Sequence, residues 1–223
     1  MPIERRDGWW LWVGGPVPPG ASGVTVGRLV VVRRGHEVTL FASGGSQTAA
    51  RLESVYPRAL REAKLKDIYG SNDLTMLHIG LAYDLQDEFD VIHDHLAPLT
   101  LPTGNLASTP VVATMHGAFT SGNRKLFELL RGPHIVTVSQ AQLYPLPNIN
   151  HAATIHHGLP MEHYPFSDQH DGYLLYVGRI SAEKGVHFAL DVAQILDMRL
   201  ILAAKVEPFD MPYFKQYIEP RLS

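Results

Sequence analysis

The sequence predicts an α/β protein: a Rossmann-like parallel sheet with helices on both faces, followed by a partial second domain of the same kind. Three observations carry this. Short apolar, β-branched runs recur along the 223 residues and alternate with stretches of helical periodicity. The runs finish in Gly, His or Ser, as strands do where they enter a ligand-facing βα turn. Near the end, YLLYVGRISAEKG (Tyr173–Gly185) reads as a strand, a short polar loop and the mouth of the amphipathic run VHFALDVAQIL.

The elements follow in order. The first strand is Trp9–Val13, running into Gly14-Gly15. Its tryptophans, Trp9, Trp10 and Trp12, are read as a buried edge or a domain contact rather than a sugar-stacking platform. A helix is expected over Gly23–Arg33, then the strand Glu37–Ala42, entered through a turn in which His36 is structural and ending at Ser43-Gly44-Gly45. Next come helices over Gln47–Ala63 and Asp73–Leu85, the charges of Arg58–Lys66 forming a solvated face. Strands Val91–His93, Val111–Met115, Ile135–Val138 and Ala153–Ile155 alternate with helices over Leu99–Leu106 and Asn123–Leu130. Gly158–Gly172 is polar, contains proline and lacks periodicity, so it reads as a linker. Beyond it lie the strand Leu174–Val177, the helix Ala182–Leu196, the strand Leu200–Ala203 and a last helix, Met211–Leu222. In that helix Met211, Phe214, Ile218 and Leu222 make one apolar stripe. The domains are therefore set at 1–160 and 172–223, with 161–171 between them, and the second is small for independent stability.

Composition excludes several classes. With 45% hydrophobic and 18% charged residues and a net charge of −3, there is no basic excess for a nucleic-acid backbone. The chain has no cysteine, which excludes disulfides and thiolate metal sites and fits a reducing compartment. No apolar run approaches the roughly 18 residues of a membrane span, and Trp9–Val13 is too short for a signal-peptide core. A cytoplasmic protein is expected.

The strand ends carry the chemistry. They read His93-Asp94-His95, His116-Gly117, Ser139-Gln140, His156-His157-Gly158 and Gly178-Arg179. Turn preferences explain the glycines and serines but not the histidines, and this points to one shared cleft. His-x-His could ligate zinc, but the third ligand of a recognised spacing is missing, so no metal is expected. Gly178, Arg179 and Lys184 fit a site for a phosphorylated ligand: glycine admits the backbone and two cations face the anion. The plainer alternative is a βα turn with two solvated charges.

Taken with RRGHEVTLFASG, FDVIHDHLAP, PVVATMHGAF, VTVSQAQ and IHHGL, the segment YLLYVGRISAEKG resembles the retaining nucleotide-sugar glycosyltransferases of family 4. These have the GT-B fold of two facing Rossmann-like domains, and the resemblance runs from about Arg33 to the end of the chain. It implies that Arg179 and Lys184, with Gly178, hold the diphosphate of a nucleotide diphosphate sugar. It implies that His116, in its His-Gly motif with Gly117, hydrogen-bonds a hydroxyl of the transferred sugar as the catalytic residue. Gly23, His93, His95, Gly117 and Ser139 would line the cleft or the acceptor side. No cofactor or metal is implied. The acceptor is left open among a sugar, a lipid-linked glycan and a small molecule, and with it peripheral membrane contact.

Three departures temper this. Ser22-Gly23 stands where the family has Gly-Gly followed by an acid, and the helix after it is about one turn short. The family also carries two glutamates eight positions apart, and no two glutamates here have that spacing. A chain truncated in its second domain, weak or inactive alone, is therefore expected, with a non-catalytic ligand-binding or oligomerising relative as the alternative. A homo-oligomer is expected through the strand edge at Leu200–Ala203. An NAD(P)-dependent oxidoreductase is disfavoured, because GGPVPPGASG lacks the Gly-x-Gly-x-x-Gly spacing.

Overall fold

The computed structural model describes residues 9–13, 31–32, 34–57, 68–146, 148–158, 161 and 164–222. The chain forms two compact units, Met1–Met161 and Glu162–Ser223.

The first unit is built on seven parallel strands: β1 (Trp9–Val13), β2 (Glu37–Phe41), β3 (Arg51–Glu53), β4 (Val91–Asp94), β5 (Val111–Met115), β6 (His134–Thr137) and β7 (His151–Thr154). Their order is β3-β2-β1-β4-β5-β6-β7, with every pairing parallel. The chain winds outward from β1 through β2 to β3. It then returns to the other side of β1 with β4 and proceeds to β7. The order reverses between β1 and β4, the place where an open α/β sheet opens a crevice beyond its strand ends.

Side chains alternate across this sheet. On one face Ile92, Val111, Ala113 and Met115 are buried. Helix α1 (Ile68–Asp84) covers part of that face with Ile79, Ala82 and Tyr83, packed with Phe41 and Phe89. Leu101 of α2 (Leu101–Gly104) and Phe127 of α3 (Arg124–Leu129) close the rest with Phe119, Leu146 and Ile149. On the other face of β2, Val38, Leu40 and Ala42 pack against Val31, Val32 and Leu52. Helices α1, α2 and α3 on the first face, and the helical Val31 and Val32 on the second, fit the alternating pattern.

The second unit pairs β8 (Leu174–Arg179) with β9 (Leu200–Lys205) in parallel. Helix α4 (Val186–Ile195) and a helical segment, 208–221, cover one side of the pair. Ile180, Val186 and Ile218 are buried there, with Tyr176, Leu190, Leu202 and Phe214 around them. The expected terminal stripe thus folds onto its own unit through Phe214 and Ile218. The face of β8 bearing Leu175 and Val177 stays exposed, at 56% and 72%. Among the described residues no helix is long and apolar enough to cross a membrane.

Three expectations need correction. The helix expected over Gln47–Ala63 is not helical across 47–57: β3 occupies Arg51–Glu53 and pairs with β2. The apolar spacing of Leu52 and Val55 resembled a helical face, but an edge strand needs only Arg-Leu-Glu alternation, and Pro57 discourages a helix through this stretch. The helix expected over Ala182–Leu196 is interrupted at Gly185, which adopts the left-handed region at φ 68° between a short 3-10 turn and α4. Finally, β8 does not stop at Gly178. It continues through Arg179, pairing Gly178 with Ala204 and Arg179 with Lys205. Gly23 and most of the helix expected over Gly23–Arg33 lie outside the described residues.

Candidate functional site

Beyond the carboxyl ends of β4, β5 and β7, four imidazoles form a row. His93 and His95 alternate with Asp94, so both leave β4 on one face. The β4–β5 register, His93 against Val112 and Asp94 against Ala113, puts Thr114 and then His116 on that same face of the neighbouring strand. The His93 and His95 rings lie 4.3 Å apart, His95 and His116 5.0 Å, and His116 and His157 5.3 Å with only 4° between planes. His93 Nε2 is hydrogen-bonded to the Thr114 hydroxyl at 2.9 Å. His95 Nδ1 and His116 Nε2 share a hydrogen bond of 2.7 Å.

The row is held from behind. Asp94 turns to the opposite face, where its buried carboxylate accepts hydrogen bonds from the Tyr83 hydroxyl at 2.9 Å and the Leu96 N–H at 2.7 Å. Gln142 brackets His116: its amide donates to the carbonyls of Met115 and Gly117, the residues on either side, at 3.0 and 2.8 Å. The same side chain accepts from the N–H groups of Val138 and Ser139 at 2.6 and 3.2 Å, joining the ends of β5 and β6. His156 donates to the Val138 carbonyl at 3.1 Å, which leaves His157 beside the His116 ring.

Two of the four rings, His93 and His116, favour the neutral form. Burial, and then the charge that His116 would carry, lower the pKa of His93 to about 4. Burial, and then His157, lower that of His116. A neutral imidazole offers one donor and one acceptor, which suits a hydroxyl partner. Among the described residues no three His, Cys, Asp or Glu side chains are grouped to hold a metal ion.

In the second unit Arg179 ends β8 with its guanidinium already engaged. It is paired with Glu183, four residues on, and its Nε lies 3.1 Å from the carboxylate of the mostly buried Asp210. The Phe209 ring lies 5.3 Å from the guanidinium carbon. Lys184 is exposed, and its carbonyl and that of Arg179 accept from the Tyr176 hydroxyl at 3.4 and 3.0 Å. At Gly178 an added Cβ would approach that hydroxyl to 3.3 Å.

Residues 30–159, more than half of the chain, match the sequence model of Glycosyltransferase Family 4. The chain belongs to glycosyltransferase family 4. Two solved structures share its fold. One is AviGT4, a glycosyltransferase involved in avilamycin A biosynthesis: 23% identity, TM-score 0.58, 94% of this chain and 61% of that one. The other is a glycosyltransferase from Rickettsia africae: 10% identity, TM-score 0.55, 97% of this chain and 65% of that one. The chain therefore spans less than two thirds of the length of either. No curated protein matches it in sequence.

For this family 4 chain the structure brings together His93, His95 and His116, with Gly117 and Ser139 tied to them through Gln142. Arg179 and Lys184 flank the turn after β8 in the other unit. Sequence reasoning missed Gln142 and Asp94. Ser139-x-x-Gln142 has the form of a capping box and was the available signal for the first. The alternation His-Asp-His was the signal for the second.

Two outcomes follow for stability. In the unfolded chain His93 protonates near 6.5, and in the fold only near 4. Its contribution to stability is thus full above about pH 6.5 and is lost as pH falls toward 4. Asp94 acts in the opposite sense: burial raises its pKa, so its contribution is present below 3.8 and is lost as pH rises through the folded value. Urea unfolding of wild type and His93→Gln at pH 7 and 4.5 separates them. The variant should lose about 2 kcal/mol less on acidification; equal losses would show that His93 titrates normally. Gln142→Leu leaves four backbone groups without their partner and should cost about 2 kcal/mol in the same assay at pH 7.

Proposed function

We propose that this protein transfers a hexose from a nucleotide diphosphate sugar to an acceptor with retention of configuration, weakly as this chain, in which no two glutamates stand eight positions apart. The observation that carries the reading is the row of histidines at the strand ends of a sheet belonging to glycosyltransferase family 4. His116 orients the sugar by a hydrogen bond to one of its hydroxyls, and His93 and His95 line the acceptor side with Ser139. The backbone at Gly117 lies along the same cleft. Arg179 and Lys184, beside Gly178, hold the diphosphate and stabilise the charge that develops as it leaves. Substitution then takes place on the face from which the diphosphate departs. No metal or cofactor is needed in this scheme, because the cations neutralise the leaving group.

Incubation with a panel of UDP- and GDP-sugars and simple sugar or lipid-linked acceptors tests the reading. Nucleotide release should be detected with at least one donor and should fall by about a hundredfold or more in His116→Ala. NMR of the product should show the donor's anomeric configuration. An absence of both binding and release across the panel would refute the reading.

The state of Arg179 gives a second test. Glu183 occupies the guanidinium that a diphosphate would need. Removing that charge should strengthen binding of a nucleoside diphosphate by up to about fivefold, the worth of an exposed ion pair. Calorimetry comparing wild type, Glu183→Gln and Arg179→Ala measures this. Weaker binding in Glu183→Gln would mean that the carboxylate holds Arg179 ready for the ligand instead of competing with it.

A further inference from the structure

We propose that His95 is a positioning residue for His116, fixing the ring flip and the tautomer in which His116 meets its ligand. The inference rests on the reading of His116 as the sugar-orienting group and goes beyond it. His95 Nδ1 lies 2.7 Å from His116 Nε2, so a single hydrogen sits between two ring nitrogens. Such a bond has a donor and an acceptor. Whichever nitrogen of His95 carries the hydrogen therefore dictates the tautomer of His116, and so whether His116 Nδ1 offers a donor or an acceptor.

The same bond fixes the ring's orientation. A half-turn of the His116 ring would replace Nε2 by carbon opposite His95 and break the contact. Stacking by His157 at 5.3 Å and 4° restrains the tilt of the ring but does not distinguish its two flips. Only the nitrogen-to-nitrogen bond does.

His95 is itself well placed to impose this. It shares a face of β4 with His93, whose ring lies 4.3 Å away and is anchored to Thr114. Between them Asp94 pins the strand end to Tyr83 and to the Leu96 N–H on the opposite face. The choice of imidazole is also informative. A carboxylate in the place of His95 would favour a doubly protonated His116, leaving only donors. An imidazole partner keeps His116 neutral and its outward nitrogen selectable. Among the described residues the titratable groups facing the pair are His93 from β4 and His157 from the segment after β7, and neither brings a negative charge.

The test uses the full chain labelled with 15N-histidine. In wild type, a scalar coupling across the hydrogen bond should connect His95 Nδ1 with His116 Nε2, and His116 should show one tautomer. His95→Phe keeps an aromatic ring but removes the nitrogen. It should abolish the coupling and let His116 populate both tautomers, with kcat for the accepted donor reduced about tenfold and KM changed less. His95→Asn places a polar atom near the original Nδ1, and should restore most of kcat although it removes the ring. Two tautomers of His116 in wild type would overturn the proposal. So would a single unchanged tautomer in His95→Phe, or rescue by Phe but not by Asn. A donor panel without turnover would refute the functional reading alone, since the labelled spectra report the positioning independently of any substrate.

Discussion

The site depends on one register. β4 and β5 align with Ile92 opposite Val111 and Asp94 opposite Ala113, and that alignment sorts every side chain at the strand ends. Ile92, Val111, Ala113 and Met115 point into the core, and His93, His95, Thr114 and His116 point away from it. A slip of one residue in either strand would exchange the two sets. Burial of the apolar set resists the slip, at roughly 1.5–3 kcal/mol for each large side chain withdrawn from water. The histidines therefore meet because the core packs, and the hydrogen bond between His95 and His116 is the outward reading of an inward alignment.

The two units handle charge in contrasting ways. In the first, burial and then a neighbouring imidazole lower the pKa of His93 and of His116. In the second, Arg179 is charged and answered by two carboxylates, Glu183 and Asp210, that differ in exposure. Asp210 belongs to the helical segment that closes the unit's core, so this contact is part of the packing. Glu183 is on the exposed turn and is the replaceable partner.

Much of this was legible in the sequence. The alternation of apolar runs and helical stretches reported the parallel sheet because strands buried on both faces must be nearly continuously apolar. The strand-end histidines were visible as residues that turn chemistry does not require. β3 was hidden, since a three-residue edge strand buries too little to impose a pattern, and Leu52 with Val55 imitated a helical face. Gln142 was hidden for another reason. A polar side chain that serves backbone groups from two strands is recognised only once those strands are adjacent. The same holds for the pairing of Arg179 with Asp210, which are brought together by the fold and not by spacing.

The central position of β1 bears on how the chain folds. Its neighbours are β2, close by in sequence, and β4, at Trp10 against Val91, far along the chain. Closing so large a loop is entropically slow, and contacts of high sequence separation set the pace of folding. During synthesis β1 must wait, half paired, until β4 has emerged. The strand that presents His93 and His95 is thus joined to β1 by the pairing of greatest sequence separation in the sheet.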